Sequence, residues 1–231
     1  MSRDGLPPIR AVTFDAGGTL LEPSPSVGVV YAQAARAAGF GSFLPNELDV
    51  RFQRAWSARG AFDYSRSSWA ILVQSVFEGL TPAAADDRLF SAIWKRFSEP
   101  DAWHVYPDVR PCLTALDSLG IRMAVLSNWD ERLHEVLKVM GLSSAFEFVL
   151  PSVEGPAPKP DSRLFQLASL RLGLPPESIL HVGDGWREDF EGARAAGFQA
   201  RWLKRGKFSA TDRELNVVRS LAELPIQIAA C

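Results

Sequence analysis

Residues 9–20, IRAVTFDAGGTL, join a short apolar segment to an acidic residue and a pair of glycines. The first six of them, IRAVTF, are mostly apolar and predict a β-strand. Asp15 follows the run directly, and Gly17 and Gly18 permit a tight turn after it. The stretch therefore predicts a strand that carries a carboxylate at its carboxyl end and leads into a turn.

The chain from Asp108 onward repeats a pattern of helical period, glycine and short apolar strand. A glycine can end a helix in a left-handed conformation, and four glycines precede predicted strands in this way. The glycines are Gly120, Gly141, Gly173 and Gly197, and the strands are IRMAVLS (121–127), FEFVL (146–150), SILHVG (178–183) and QARWL (199–203). Strands that alternate with helices indicate right-handed crossovers and a parallel sheet with helices on both faces. The predicted fold class is a doubly wound α/β domain.

Residues 22–104 interrupt this pattern with apolar positions at helical spacing and no convincing strand. One apolar face combines Trp69, Leu72, Val73, Val76 and Phe77, and another combines Leu89, Phe90, Ile93, Trp94 and Phe97. Two prolines begin the interruption and SEPDAWHVYPDV (98–109) ends it, so both links have the composition of turns or hinges. We expect a mobile helical cap domain at 22–104 over an α/β core domain made of 1–21 and 105–231.

The charge balance and the composition exclude several kinds of partner. The chain has 25 Lys and Arg against 27 Asp and Glu, so no basic field favours nucleic acid or a membrane surface. No apolar run approaches the roughly 20 residues of a membrane span, and the start has no stretch long enough for a signal peptide. Two cysteines, Cys112 and Cys231, do not make a disulfide framework or a zinc site. We expect a soluble, cytoplasmic protein that binds neither nucleic acid nor membranes.

Reactive side chains follow the ends of several predicted strands. They are Asp15, Ser127, Asn128, Lys159 in the loop EGPAPKPD, Asp184 and Asp189. Open parallel sheets bind ligands beyond the carboxyl ends of their strands, so these groups are predicted to converge. Each has another interpretation on its own, because an aspartate at a strand end can cap the next helix and KPD is an ordinary turn. Their joint placement favours a functional site.

Two tryptophans stand inside the same loops. Trp129 follows LSN, and Trp186 lies within GDGWRED. We expect both to border the pocket. They are interpreted either as substrate-facing walls or as residues that pack the loops against the cap.

Four short motifs resemble the signatures of the haloacid dehalogenase superfamily of hydrolases. FDAGGTL resembles the first signature, LSN the second, KPD the third and HVGDGWREDFEGARAAGF the fourth, in the family's order. The helical insertion after the first motif is similar to that of the subgroup with a helical cap. The resemblance implies a Rossmann-like core and a Mg²⁺-dependent phosphatase of small phosphorylated molecules.

The resemblance also implies how the phosphoryl group is handled. Asp15 is the implied nucleophile, which attacks phosphorus and forms an aspartyl-phosphate. Ser127 and the main-chain amide of Asn128 hold the phosphoryl oxygens, and Lys159 neutralises charge on Asp15 and on the transferring group.

The metal site implied by the resemblance uses Asp15, the carbonyl of Gly17 and Asp184 as ligands of Mg²⁺, with Asp189 in the outer or second shell. Gly17 is also the departure from the family pattern, because phosphatases of the family carry an aspartate there. That aspartate protonates the leaving alcohol and then activates water. General acid or base catalysis is worth about 10²- to 10⁴-fold in rate, so we expect a slow enzyme that prefers good leaving groups.

Three functions stay open: a weak phosphohydrolase, a dehalogenase, and a catalytically impaired protein that binds phosphate and metal in a regulatory role. Dehalogenases of the family also lack the second aspartate, but they use no metal and need no acid pair like Asp184 and Asp189. This difference favours the phosphohydrolase. His104 and His181 are weaker candidates for the missing acid, because a lone histidine is commonly structural.

Overall fold

The computed structural model describes residues 7–81, 87–206 and 216–229. This part of the chain holds eight strands: β1 (Ala11–Phe14), β2 (Leu21–Pro23), β3 (Trp103–Val105), β4 (Arg122–Ser127), β5 (Phe148–Pro151), β6 (Ile179–Gly183), β7 (Gln199–Leu203) and β8 (Val217–Val218). Six of them form one parallel sheet in the order β5-β4-β1-β6-β7-β8. The predicted parallel sheet is confirmed. The additional strand β8 has only two residues, too few to give a sequence pattern.

Strand β1 lies at the centre of the sheet, between β4 and β6. All four of its residues are buried, with Val12 and Phe14 in the core cluster on one face and Ala11 in the cluster on the other. The later strands extend the sheet first on one side of β1 and then on the other. Ligands of doubly wound folds bind where the strand order reverses, and Asp15 is the residue that follows β1 at this point.

Nine α-helices are present in the described part of the chain. They are α1 (Val27–Ala37), α2 (Pro45–Ala58), α3 (Arg66–Phe77), α4 (Asp87–Arg96), α5 (Val109–Ser118), α6 (Arg132–Val139), α7 (Ser162–Leu172), α8 (Gly192–Ala195) and α9 (Glu223–Ala229). Leu116 of α5 and Leu137 of α6 pack on the Phe14 face of the sheet, and Phe165 of α7 packs on the opposite face. Helices therefore cover both faces, as predicted. None of these helices is long and apolar enough to span a membrane.

The four glycines expected to end helices have the predicted conformation. Gly120, Gly141, Gly173 and Gly197 follow α5, α6, α7 and α8, with φ angles of 70°, 64°, 60° and 85°. A residue with a β-carbon is strained at such angles, whereas glycine is not. These positions therefore turn each chain segment from helix toward the next strand.

Helices α1 to α4 form what we call the helical insert, residues 27–96, which has a hydrophobic cluster of its own. Tyr31 is 2% exposed and stacks on Phe77, with ring centroids 5.9 Å apart. Leu48 and Ile93 are buried in the same cluster, which is separate from the two clusters on the sheet. The helical periods predicted in this region are confirmed as the buried faces of α3 and α4.

The two links of the helical insert pair with each other. Strands β2 and β3 run antiparallel, with Leu21 opposite Val105. The prediction of two turn-like links without strands is therefore wrong. The two links run in opposite directions, so the main-chain N–H and C=O groups of one can form hydrogen bonds with those of the other. The central sheet takes no strand from residues 22–81 or 87–104, and the division into cap and core domains stays a prediction.

Candidate active site

Asp15 lies at the carboxyl end of β1, where its N–H donates to the carbonyl of Val182 in β6 at 2.9 Å. The residue is 6% exposed. Its Oδ1 accepts hydrogen bonds from Ser127 Oγ at 2.9 Å and from Lys159 Nζ at 2.7 Å. Within the described residues, no hydrogen bond reaches Oδ2. One oxygen of this carboxylate is therefore held, while the other is left for a ligand.

Lys159 stands between two buried carboxylates. Its ammonium donates to Asp15 Oδ1, to Asp189 Oδ1 at 2.5 Å and to the carbonyl of Leu126 at 2.9 Å. Burial lowers the pKa of a lysine, but the two carboxylates outweigh this effect and raise the pKa of Lys159. Burial raises the pKa of Asp15, and the ammonium opposes that shift. Lys159 is therefore protonated and supplies the positive charge of the site.

The side chain of Asn128 fixes the main chain of Lys159. Its Nδ2 donates to the carbonyl oxygen of Lys159 at 2.9 Å, and its Oδ1 accepts from the N–H of the same residue at 2.7 Å. This two-point contact holds the lysine loop against the end of β4. The family resemblance implies a phosphate role for the main-chain amide of Asn128, and the side chain adds a positioning role to it.

Asp189 is fixed from three directions in a π-helical turn, Trp186–Glu191. Besides the contact with Lys159, its Oδ1 lies 3.1 Å from His181 Nε2, and its Oδ2 accepts from the N–H of Gly185 at 2.8 Å. Burial raises the pKa of a carboxyl group, but Lys159 and His181 outweigh burial here and lower the pKa of Asp189. Asp189 is therefore ionised, with both oxygens occupied by donors.

The two histidines considered as substitute acids are not among the residues that line the active-site cavity. His181 lies inside β6, with Nδ1 at 2.8 Å from Thr13 Oγ1, and burial lowers its pKa. His104 is exposed in β3. The structure therefore places His181 as a support for Asp189 and His104 outside the site.

Three carboxylates, those of Asp15, Asp184 and Asp189, each bring one oxygen to within 4.8 Å of the others. Asp184 lines the cavity and is exposed, but nearby protein atoms displace part of the water around its carboxyl group. This partial loss of water, together with the charges of Asp15 and Asp189, raises its pKa to about 7. Hard oxygen ligands at this spacing fit Mg²⁺. Because both oxygens of Asp189 already accept hydrogen bonds, Asp15 and Asp184 are the better direct ligands.

The turn after Asp15 depends on two glycines for different reasons. Gly18 has a φ of 75°, and a β-carbon there would collide with the carboxylate of Asp184. Gly17 does not have a positive φ, and a β-carbon there would lie 3.3 Å from Cζ3 of Trp129. The backbone at Gly17 therefore accepts a side chain, whereas the neighbouring ring restricts it.

A cavity of about 510 Å³ joins the end of the sheet to the helical insert. Asp15, Ser127, Lys159 and Asp184 form part of its wall, and side chains of α2, α3 and α4 form another part. Five of the seven tryptophans in the chain line it. Trp129 is one of them, so the structure brings Trp129 to the pocket as predicted from the sequence.

Trp186 does not line this cavity. Its ring stacks on Phe190 with centroids 4.7 Å apart and meets Trp202 edge-on at 4.9 Å. The expectation that Trp186 borders the pocket is corrected here. The π-helical turn that aims Asp189 inward directs Trp186 onto β7 instead, where it packs with other aromatic rings.

Tyr64 is a cavity residue that the motifs do not reveal. It lies between α2 and α3, is 7% exposed, and has a φ of 63°, which is uncommon for a residue other than glycine. Burial raises the pKa of its hydroxyl, and Arg59, Asn128 and Lys159 oppose this shift. The aromatic density around it in the sequence is a signal, but core packing gives the same signal.

Arg132 connects the strand-end loops with the helical insert. It pairs with buried Asp130 at 2.7 Å and donates from Nη1 to the carbonyl of Trp94 at 3.0 Å. The guanidinium also lies 3.3 Å from the centroid of the Trp94 ring, which allows a cation–π contact. This arginine belongs to no motif. It fixes α4 against the loop that follows β4.

Comparison with known proteins agrees with this geometry. The family model for haloacid dehalogenase-like hydrolases matches residues 9–197. The chain is 30% identical over 235 residues to haloacid dehalogenase-like hydrolase domain-containing protein 3 of Danio rerio, covering 96% of this chain and 97% of the relative. It is 38% identical over 223 residues to the phosphoserine phosphatase of Thermus thermophilus, covering 86% and 90%.

A solved structure of a HAD phosphatase from Thermococcus onnurineus shares the fold, with a TM-score of 0.71 at 26% identity. The match covers 96% of this chain and 99% of that structure. The four motifs, the parallel sheet and the convergence of Asp15, Lys159 and Asp184 are thus found together with a family match over most of the chain. The protein belongs to the haloacid dehalogenase-like hydrolase family.

Proposed function

We propose that the protein is a Mg²⁺-dependent phosphatase of small phosphorylated molecules that acts through an aspartyl-phosphate on Asp15. One observation carries this proposal: Asp15 Oδ1 is held by Ser127 and Lys159, whereas Oδ2 has no described partner and Asp15 lines the cavity. The names of two relatives, a HAD phosphatase and a phosphoserine phosphatase, support the reaction class.

In the proposed first step, Asp15 Oδ2 attacks phosphorus and the bond between phosphorus and the leaving oxygen breaks. The electron pair stays on the leaving oxygen, which takes up a proton. Lys159 remains protonated and offsets negative charge on Asp15 and the phosphoryl group. In the second step, water attacks the same phosphorus, loses a proton and releases the carboxylate of Asp15 together with phosphate.

The protein groups fit the proposed cation. Asp15, Asp184 and the carbonyl of Gly17 would hold Mg²⁺, and Asp189 would stay in the outer shell. The ion would offset the negative charge of the transferred phosphoryl group. When Asp184 is ionised, the three carboxylates of the cluster carry more charge than the single ammonium of Lys159, and the cation would offset this excess where the anion binds.

We assign the missing proton transfer to Tyr64. Tyr64 lines the cavity together with Asp15 and Asn128, and its raised pKa keeps the proton on the phenol at neutral pH. The phenol would give its proton to the leaving oxygen, and the phenolate would take a proton from the attacking water. The left-handed backbone of Tyr64 supports this role, because strained residues cluster at functional sites.

The helical insert is proposed to act as a cap, because its side chains complete the cavity wall opposite Asp15. Its mobility is part of the same proposal. We also propose that the protein acts in the cytoplasm, where the buried thiol of Cys112 stays reduced.

A screen of phosphate esters, acyl phosphates and 2-haloacids, run with and without Mg²⁺, tests the proposed reaction. We expect Mg²⁺-dependent release of phosphate that disappears in Asp15→Asn. Metal-independent release of halide would instead establish the dehalogenase alternative. Binding of phosphate and Mg²⁺ without turnover of any substrate would establish the binding or regulatory role.

A further inference from the structure

The aromatic content of the cavity wall is concentrated in tryptophans. Trp56, Trp69, Trp94, Trp103 and Trp129 line the cavity, and each is only partly buried. They come from α2, α3, α4, β3 and the loop after β4. Side chains from five separate segments of the chain therefore present aromatic surface to one enclosed space.

These tryptophans are distinct from the fully buried core of the helical insert. That core consists of side chains such as Tyr31, Leu48 and Phe77, which are at most 2% exposed. The tryptophans retain accessible surface; Trp56 and Trp69 pack at the edge of the cluster of the insert, and Trp94 of α4 is also partly exposed. Packing of the insert alone does not require this surface to face a cavity that also contains the catalytic groups.

The rings follow one another along the wall. Trp56 and Trp69 stack at 5.7 Å with an interplanar angle of 15°, and Trp103 meets Trp129 at 5.1 Å. Trp129 in turn approaches Gly17, two residues after Asp15. The aromatic wall thus begins beside the catalytic turn and continues into the helical insert.

The size of the cavity also bears on the ligand. A volume of about 510 Å³ lies within the range of about 300–1,000 Å³ that encloses drug-sized ligands. A small molecule such as phosphoserine would fill little of this space and would leave most of the aromatic surface exposed to water. A bulky ring, in contrast, would remove apolar surface from water on both sides of the contact.

Two guanidinium groups give the wall a preference for flat rings. Arg59 lies 3.7 Å from the centroid of Trp56, and Arg132 lies 3.3 Å from that of Trp94. Both line the cavity. The face of an aromatic ligand is attracted to such cations, whereas a puckered aliphatic ring has no negative face.

We propose that the substrate is a phosphate monoester whose organic part is a large aromatic ring system. The phosphate lies at Asp15 and Lys159, and the ring system occupies the tryptophan-lined part of the cavity. This inference rests on the proposed function for the position of the phosphate. It adds the chemical class of the organic part, which no motif of the sequence indicates.

The test compares 2-(2-naphthyl)ethyl phosphate with 2-cyclohexylethyl phosphate, ethyl phosphate and phosphoserine. The first three esters release primary alcohols of similar acidity, so differences in kcat/KM report the cavity and not the leaving group. We expect the naphthyl ester to exceed ethyl phosphate and phosphoserine by at least about tenfold. Equal values for the naphthyl and cyclohexyl esters, or a preference for phosphoserine, would overturn the proposal.

Single tryptophan substitutions test which part of the structure gives the preference for the naphthyl ester. Trp69→Leu should reduce the ratio of kcat/KM for the naphthyl ester to kcat/KM for ethyl phosphate about tenfold. Trp186→Leu is the matched control, because Trp186 lies outside the cavity, and it should retain the full advantage. Two results would contradict binding of the ring at the tryptophan-lined wall. Folded Trp69→Leu could keep the full advantage of the naphthyl ester, or both variants could lose this advantage equally.

A binding experiment on the wild-type protein separates this inference from the proposed reaction. Calorimetry with 2-(2-naphthyl)ethylphosphonate and with ethylphosphonate, in the presence of Mg²⁺, needs no turnover. Tighter binding of the naphthyl compound without hydrolysis of any ester supports the aromatic site and overturns the phosphatase. Equal binding of both phosphonates by a protein that hydrolyses esters overturns the aromatic site alone.

Discussion

Cζ3 of Trp129 lies 3.3 Å from the point that a β-carbon on Gly17 would occupy. This separation is shorter than ordinary van der Waals contact, so a side chain on Gly17 and the present position of the indole compete for the same space. Glycine at residue 17 and the tryptophan that follows the second motif are therefore structurally coupled. Residue 17 has to be considered together with Trp129.

An aspartate at residue 17 should act as a general acid only when residue 129 carries a smaller ring than tryptophan. The φ of Gly17 is not positive, so Gly17→Asp introduces no left-handed strain, but the indole must move by a few tenths of an ångström. We expect Gly17→Asp with Trp129→Phe to raise kcat for alkyl phosphates about 10²-fold, and to change nitrophenyl phosphate less. Trp129→Phe alone is the control. The double variant contradicts this expectation when it folds and binds Mg²⁺ but keeps the wild-type leaving-group preference. An aspartate at residue 17 then does not act as the general acid.

The proposed proton transfer by Tyr64 predicts a loss of activity toward alkyl phosphates when its hydroxyl is removed. Tyr64→Phe removes the hydroxyl and keeps the ring, so it should lower kcat for alkyl phosphates about 10²-fold and spare activated esters. Steady-state kinetics on a series of esters with different leaving groups measures this dependence. A uniform loss across the series would indicate a structural role. Phe62→Leu, which alters a neighbouring ring without removing a polar group, is the control for packing.

Binding of Mg²⁺ should depend on Asp184. Its carboxylate completes the acidic cluster with Asp15 and accepts no side-chain hydrogen bond within the described residues. We expect Asp184→Ala to weaken Mg²⁺ binding at least about tenfold by calorimetry, the scale on which loss of even an outer-shell partner acts. Asp161→Ala serves as the control, because that aspartate caps α7 at the surface. Equal affinities in the wild type and Asp184→Ala would remove this residue from the metal site.

The affinity for Mg²⁺ should rise with pH through neutrality. The pKa of Asp184 is raised to about 7, so the carboxyl group is protonated below that pH and the proton competes with the cation. We expect affinity to fall about tenfold per pH unit below 7 and to level off above it. Calorimetry in buffers of different ionisation enthalpy should detect release of a proton at pH 6 and little release at pH 8. A flat affinity between these values would contradict the shift.

Lys159 should stabilise the fold as well as the site. Lys159→Met leaves Asp15 and Asp189 close together without their cation, and we expect a loss of about 3–5 kcal/mol in the free energy of unfolding. Adding Asp189→Asn should recover part of that loss. The control is Lys138→Met, since Lys138 is exposed and forms only a surface pair at 3.8 Å. Urea denaturation of the three variants provides the measurement.

The sequence predicts the sheet and most of the site because strand ends are local features. Asp15, Lys159 and Asp184 directly follow strands or lie in the loops after them, and a parallel sheet brings such positions to one edge. The same reasoning cannot decide which way a side chain in a loop points. Trp129 and Trp186 have the same kind of sequence neighbourhood, yet the π-helical turn directs Trp186 away from the cavity.

The contribution of the helical insert is not local in sequence. Tyr64 lines the same cavity as Asn128, which is 64 positions away in the sequence. Its left-handed backbone lies between Asp63 and Ser65, where the N–H of Ser65 donates to Asp63 Oδ1 at 2.9 Å. Arg132 likewise reaches Trp94 through a contact that no pattern marks. These residues could be found only once the insert was placed over the end of the sheet.

The antiparallel pairing of β2 and β3 restricts the motion that we propose for the helical insert. Because Leu21 is bonded into register with Val105, the outgoing and returning chains cannot flex independently. We expect the insert to rotate as one unit about a single axis at the end of the β2–β3 pair that joins the central sheet. Opening of the cavity would then be a rotation that moves Trp103, the first residue of β3, relative to Trp129. The fluorescence of this tryptophan pair would report the rotation directly.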